Sequence, residues 1–376
     1  MSKSLISRRP LFGRGSSAVP TPGERRLSAL QRLGWKPYFQ QQLTLEELND
    51  CEPLRVMAVH RNQLDLAGEN GERALPLTPA LVSDDVQRRP TIGDWLLLER
   101  GSGKFLRLLE RSSQFQRMAP GARQLQMIAA NVDSVLIVSS CNKDFNLSRL
   151  ERYLALVREA GCRPYLVLTK ADLCAETDTY TEALHGYPDL PVALVNSLLP
   201  DSVAQLRQWC LPGETIALLG SSGVGKSTLL NTLSGEQLAA TAGIREDDSK
   251  GRHTTRHRAL YPLDWGGLLL DSPGMRELGL VDVEQGFAAT FGDIGALAGN
   301  CRFADCRHDS EPGCAVQGAI ESGDLDERRL RNWRKLEREL ARNSRTLAEQ
   351  RAGDRALGQF YREVQGHARE RKLRGD

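Results

Sequence analysis

The stretch TIALLGSSGVGKSTLL, residues 215–230, decides the fold. Thr215–Leu219 is a short apolar run that reads as a buried strand, and the residues from Lys226 onward read as a helix. Between them, Gly220-Ser221-Ser222-Gly223-Val224-Gly225-Lys226-Ser227-Thr228 fits the pattern G-x-x-x-x-G-K-[ST]. Its glycines let the backbone wrap a diphosphate with the N–H groups turned inward. Lys226 adds a point charge for the outer phosphates, and Ser227 offers a hydroxyl to Mg²⁺. Strand, loop and helix in that order are the setting the pattern requires, so a nucleotide site is expected here.

The segments around it extend the same texture. VDSVLIVS (132–139) and PYLVLT (164–169) read as buried strands, Leu147–Ala160 as a helix, and Val192–Val195 and Leu268–Leu270 as further strands. Repeated strand-helix units of this length predict a parallel sheet with helices on both faces. Two of its strand ends carry chemistry. In Thr169-Lys170-Ala171-Asp172, a carboxylate can accept both the N1–H and the exocyclic amine of guanine, a pair that adenine does not present. The aliphatic stem of Lys170 can pack over the ring. In Asp271-Ser272-Pro273-Gly274, an Asp at a strand end can hold Mg²⁺ through water, and Gly274 can give its N–H to a γ-phosphate. Alone, TKAD is a weak signal and DSPG an ordinary turn; beside a phosphate loop they form a guanine-nucleotide set.

On the N-terminal side, five β-like runs (Leu54–His60, Gln63–Leu66, Arg73–Leu77, Asp94–Glu99 and Phe105–Leu109) are separated by Gly, Asn or Asp turns. They suggest a small barrel of the oligonucleotide/oligosaccharide-binding (OB) kind, with an SH3-like or unspecialised β-domain as the alternative. Ahead of them lies a basic lead and a short helix whose Thr44 and Glu47 have capping-box spacing. On the C-terminal side, Cys301-x4-Cys306-x-His308-x5-Cys314 offers three thiolates and an imidazole. That set suits one structural Zn²⁺ per chain, a disulfide plus a spare thiol being the alternative. A charged helix follows near Asp326–Arg342, with Leu330, Trp333, Leu336 and Leu340 on one stripe.

TKAD, a strand ending Val195-Asn196-Ser197, GSSGVGKST, Gly251-Arg252-His253-Thr254-Thr255 and DSPG resemble the GTPase motif set in rotated order, G4-G5-G1-G2-G3. With a barrel before them and a Cys/His cluster after, the chain resembles the circularly permuted ribosome-biogenesis GTPases called ribosome small-subunit-dependent GTPase A (RsgA, also YjeQ), over about residues 50 to 345. Residues and resemblance together predict a multidomain protein: a basic flexible extension (1–50), an OB-like β-barrel (51–118), a circularly permuted α/β P-loop GTPase domain (119–285) and a zinc-binding helical domain (286–376). The resemblance also implies a cytoplasmic GTP hydrolase that binds the small ribosomal subunit and its rRNA late in maturation and leaves after hydrolysis.

Carried over by position, Thr169, Lys170, Ala171 and Asp172 read guanine, and the backbone of Asn196-Ser197 reaches O6. Residues 220–228 hold the phosphates, Ser227 and Thr254 or Thr255 ligate Mg²⁺, and Asp271 and Gly274 sense the γ-phosphate. Two departures stand out. Thr169 replaces the usual Asn, which loses an amide bridge to the phosphate loop, and Asn196-Ser197 replaces the usual Ser-Ala. Where many GTPases place a water-orienting Gln, this chain has Met275, so hydrolysis is expected to be slow alone. His253 is the candidate catalytic replacement; the plainer reading is an exposed loop histidine.

Charge and compartment complete the reading. Residues 1–38 hold 8 basic and 1 acidic side chains (+7), 39–323 hold 27 and 37 (−10), and 324–376 hold 15 and 10 (+5), which sums to the net +2. Cationic ends around an anionic middle suit a polyanion partner, although such runs are also ordinary solvated faces. The first 23 residues contain no apolar core of a secretory signal, and no stretch reaches the roughly 18 apolar residues of a membrane span. Five scattered cysteines (51, 141, 162, 174 and 210) suit reduced thiols. A monomer that meets no membrane is expected. The rival functions are an RNA-binding scaffold in which GTP is structural, and an unrelated ATPase, which Asp172 argues against.

Overall fold

The computed structural model describes residues 27–79, 81–82, 85–118, 125–238, 259–272, 275, 278 and 283–343. Its strands are β1 (Cys51–Val59), β2 (Gln63–Gly68), β3 (Gly71–Pro76), β4 (Trp95–Glu99), β5 (Phe105–Leu108), β6 (Gln114–Met118) and β7 (Leu125–Ala130), followed by β8 (Ser134–Ser140), β9 (Arg163–Thr169), β10 (Val192–Val195), β11 (Thr215–Leu219), β12 (Ala259–Pro262) and β13 (Leu268–Asp271). Each strand expected from the sequence lies on one of these.

One sheet runs β10-β9-β8-β11-β13-β12-β1-β2-β3, with β4 paired to β1 and β5 paired to β4. Neighbours among β10, β9, β8, β11 and β13 are parallel. They read as continuous apolar runs because both faces are covered, and their core joins Val138, Val167, Ile216 and Leu269 to Leu229 and Leu230 of the helix Lys226–Ser234. The pairs β1–β2, β2–β3, β1–β4 and β4–β5 are antiparallel around a separate core of Leu54, Val56, Leu64, Leu66, Leu96 and Leu98. Among the described residues, the two halves of the sheet meet at one bridge, Ala58 of β1 against Ala259 of β12. One compact unit holds these strands, and a second is built mainly from Asp293 onward.

Residues 28–50 depart from the expected flexible extension. They form the helices Ala29–Arg32, Pro37–Gln40 and Leu45–Asp50, and they bury Leu33 and Phe39. Trp35 and Phe39 lie 4.8 and 5.9 Å from the ring of Trp95, which is fully buried at the start of β4. Aromatic contact with β4, rather than helical periodicity, packs this lead. The Thr44–Glu47 capping box forms as expected, and Glu47 also holds Arg107 at 2.8 Å. The basic residues before position 27 and after 343 lie outside the described residues.

Candidate functional site

All the expected nucleotide motifs that can be placed lie at the C-terminal ends of the parallel strands, where ligands bind in open α/β sheets. The register brings them together: Leu219 pairs with Ile137, Ser140 with Thr169, and Thr169 with Val195. The phosphate loop therefore leaves β11 close to the loops that follow β9 and β10.

Two of its glycines are required by geometry. A Cβ on Gly220 would lie 2.3 Å from the Val138 carbonyl oxygen, and Gly225 adopts φ +93° as the cap of the helix that Lys226 opens. Lys226 is 7% exposed, and its ammonium donates to the Ser221 carbonyl inside the loop. Across the loop, the Ser221 hydroxyl lies 3.4 Å from an Asp144 carboxylate oxygen. Asp144 was not marked by the sequence, because the turn it occupies carries no motif.

The base loop is tied to the phosphate loop twice. Lys170, in the left-handed conformation at φ +59°, donates from Nζ to the Gly223 carbonyl at 2.9 Å. Thr169 is fully buried, and its hydroxyl lies 2.6 Å from the Val224 carbonyl and 3.1 Å from that of Ser139. In place of the amide bridge that Thr169 lacks, a hydroxyl on a rigid β-branched side chain reaches the phosphate loop. Asp172 is exposed on the turn Ala171–Leu173. Asn196 accepts the Leu198 N–H at 2.9 Å, and the Thr232 hydroxyl donates to the Ser197 carbonyl at 2.6 Å, which fixes the loop after β10.

At the other end, Lys226, Ser227, Asp271 and Ser272 line one cavity of about 20 Å³. Ser227 and Asp271, the two candidate Mg²⁺-handling residues that the structure describes, thus line one space. Met275 is 1% exposed. His253, Thr254, Thr255 and Gly274 lie outside the described residues.

In the second unit, Cys301, Cys306, His308 and Cys314 bring their ligand atoms within 4.8 Å of one another, a group that could hold a metal ion. His308 Nδ1 is 3.5 Å from Cys301 Sγ and 3.5 Å from Cys314 Sγ, and the two sulfurs are 3.9 Å apart. Sequence patterns do not show how His308 is aimed. It sits at φ +62°, with its carbonyl held by Gln317 and Arg334. Cys314 caps the helix Ala315–Ser322. Burial pushes the Cys301 thiol up, but hydrogen bonds from the N–H groups of Ala315 and Val316 and from Cys314 and Cys306 together leave the thiol below its ordinary range.

A G-x-x-x-x-G-K-S loop after β11, the Thr169–Asp172 turn after β9 two strands away, and an Asp at the end of β13, met along the chain in the order Thr169–Asp172, Gly220–Thr228, Asp271, define a P-loop GTPase with circularly permuted motifs. Known proteins agree. A family profile described as RsgA GTPase matches residues 108–281. Small ribosomal subunit biogenesis GTPase RsgA 2 of Vibrio parahaemolyticus is 51% identical over 345 residues, which is 91% of this chain and 94% of that protein. Small ribosomal subunit biogenesis GTPase RsgA of Mesorhizobium japonicum is 44% identical over 320 residues, 84% of this chain and 91% of that protein. The crystal structure of YjeQ from Thermotoga maritima matches 79% of this chain and 100% of its own, with a TM-score of 0.58 at 25% identity. The chain belongs to the RsgA GTPase family. No helix among the described residues is long and apolar enough to cross a membrane.

Proposed function

We propose that this protein is a cytoplasmic, monomeric GTP hydrolase that binds the small ribosomal subunit through its rRNA and assists its late maturation. The observation that carries the reading is the junction of base loop and phosphate loop through Thr169 and Lys170, in a chain whose close relatives bear the name small ribosomal subunit biogenesis GTPase. Asp172, Lys170 and the backbone at Asn196-Ser197 select guanine. Residues 220–228 hold the phosphates, and Asp271 and Gly274 sense the γ-phosphate. Ser227 and Thr254 or Thr255 hold Mg²⁺, which supplies charge neutralisation between the phosphates when bound. With Met275 buried and apolar, His253 is the residue assigned to orient the attacking water.

The functional parts are taken as 51–118, 119–285 and 286–376. The first is an OB-like barrel; its support is β1 acting as a hub between β2 and β4, with β5 beyond β4 and β3 beyond β2. The third is built on one structural zinc. Tetrahedral zinc with Zn–S of about 2.3 Å and Zn–N of about 2.0–2.1 Å places S···S near 3.8 Å and S···N near 3.5 Å, close to the 3.9 and 3.5 Å found. Because the chain passes from Gly274 directly into this part, the γ-phosphate state can act on it through one covalent connection.

The test is GTP turnover by the purified protein with and without small subunits across a salt titration. Strong stimulation that falls steeply with salt is expected, because phosphate contacts release counterions. Equal turnover in both arms would refute the reading and favour a scaffold. Loss of stimulated turnover in His253→Ala, with GTP binding intact, is expected; full turnover would remove the catalytic role of His253.

A further inference from the structure

Among the described residues, four buried side-chain polar atoms meet no hydrogen-bond partner in the protein: Trp95 Nε1 and the hydroxyls of Ser134, Ser197 and Ser272. Buried hydroxyls are nearly always paired, so each unpaired one calls for a partner outside the protein or a reason for its burial. Ser134 lies at the start of β8, away from the strand ends that carry the motifs. Ser272 is different. It is 5% exposed, it follows Asp271 directly, and it lines the 20 Å³ cavity with Asp271, Ser227 and Lys226. The rest of that lining is leucine, which offers the hydroxyl nothing to bond.

We infer that the Ser272 hydroxyl is a positioning group for the hydrated Mg²⁺ of the nucleotide complex, accepting a hydrogen bond from a metal-bound water. The inference rests on the Mg²⁺·GTP reading above and adds a residue to it. Three facts converge on a water rather than on the metal or a phosphate. Mg²⁺ keeps several of its waters and is held by few protein groups. Ser227, on the same cavity, is already placed as a direct hydroxyl ligand. Asp271, which lines the same cavity, is of the kind that acts on the ion through water. A hydroxyl can both accept and donate, which suits a water whose lone pair is committed to the metal. The Ser272 carbonyl accepts the Met275 N–H at 3.0 Å. Strand β13 ends at the residue before Ser272.

Outer-shell partners of bound metals typically contribute 10- to 100-fold in metal affinity. A single hydroxyl acting through one water belongs at the lower end, about 10-fold. The full-length protein is loaded with a fluorescent GDP analogue, and the Mg²⁺ concentration for half-maximal retention is measured for wild type, Ser272→Ala and Ser272→Thr. Ser272→Ala should raise that midpoint about 10-fold, leave GDP affinity in excess chelator unchanged, and melt no lower than wild type without nucleotide, since it removes an unpaired hydroxyl. Ser272→Thr keeps the hydroxyl and should follow wild type. An unchanged midpoint in Ser272→Ala, equal losses in both variants, or a lower melting temperature of the free protein would overturn the inference. A loss confined to a GTP analogue would also overturn it and assign the hydroxyl to a γ-phosphate oxygen. A wild type whose retention ignores Mg²⁺ would instead remove the reading on which the inference rests.

Discussion

Thr169→Val tests how the base loop and the phosphate loop are joined. The substitution keeps the β-branched shape, so packing at this fully buried position is conserved, but it deletes the hydroxyl proton that Thr169 gives to Val224. The hydroxyl has one hydrogen for two carbonyls, and the 2.6 Å contact to Val224 takes precedence over the 3.1 Å contact to Ser139. Val224 is itself fully buried, so its carbonyl loses its partner without gaining water. Leaving a buried acceptor unsatisfied costs about 1–3 kcal/mol. The empty phosphate loop can shift to relieve this, whereas a loop clamped on phosphates cannot, so most of the cost should fall on the nucleotide complex. GDP affinity should then drop about 5- to 150-fold. Thr169→Ser, which retains the donor, should stay near wild type. Selectivity for GDP over ADP should not change, because the carboxylate of Asp172 is untouched. Titration of the fluorescent analogue against the three proteins, with ADP as competitor, measures all of this. Wild-type affinity in Thr169→Val would show that the bridge contributes nothing and that Lys170, through Gly223, joins the loops alone.

Asp172→Asn should weaken GTP and narrow its preference over ATP, because an amide can no longer accept two hydrogen bonds from guanine; competition binding reads the ratio, and an unchanged preference would defeat the guanine assignment. Zinc removal by a chelator should unfold the unit built from Asp293 onward before the GTPase core, seen as two separated melting transitions where the loaded protein shows closer ones, with about one zinc per chain by elemental analysis. The Glu47 carboxyl is held down to about 2, chiefly by its hydrogen bonds from Arg107. Its folded pKa lies below its unfolded value, so its contribution is present above about pH 4.5 and is lost as pH falls toward 2. Glu47→Gln should flatten that part of the acid-unfolding curve, and identical curves would show the Arg107 pair to be inert.

What the sequence made legible and what it hid differ by the range of the interactions involved. The phosphate loop, the capping box of Thr44 and Glu47 and the Cys/His spacing are local: each chemistry closes within about 14 residues, so pattern alone could expose it. The strands β1 to β5 and the parallel strands were equally plain, because periodicity of 2 and unbroken apolar runs are also local. Arg55 shows where this ends. As an Arg in the run Leu54–His60 it carried no signal, yet its guanidinium is fully buried and donates to the carbonyls of Leu33, Gly93 and Asn131 and to the Thr215 hydroxyl. Burial pulls its pKa down to about 10, against the opposing pull of the Asp133 and Asp94 carboxylates. Thr215 is the first residue of β11, the strand that feeds the phosphate loop, and its N–H is held by Asp133 at 2.8 Å. Asp133 in turn takes the ammonium of Lys36. The helical lead, strand β1 and the start of β11 are thus fastened at one point by residues up to 160 positions apart, while the Ala58–Ala259 bridge fastens β1 to β12. N-terminal strands joined to the parallel strands at both places can respond to them as a body rather than as a tethered neighbour. No reading of periodicity could have shown this, because pairing partners are chosen by tertiary packing and leave no trace in the spacing of either strand.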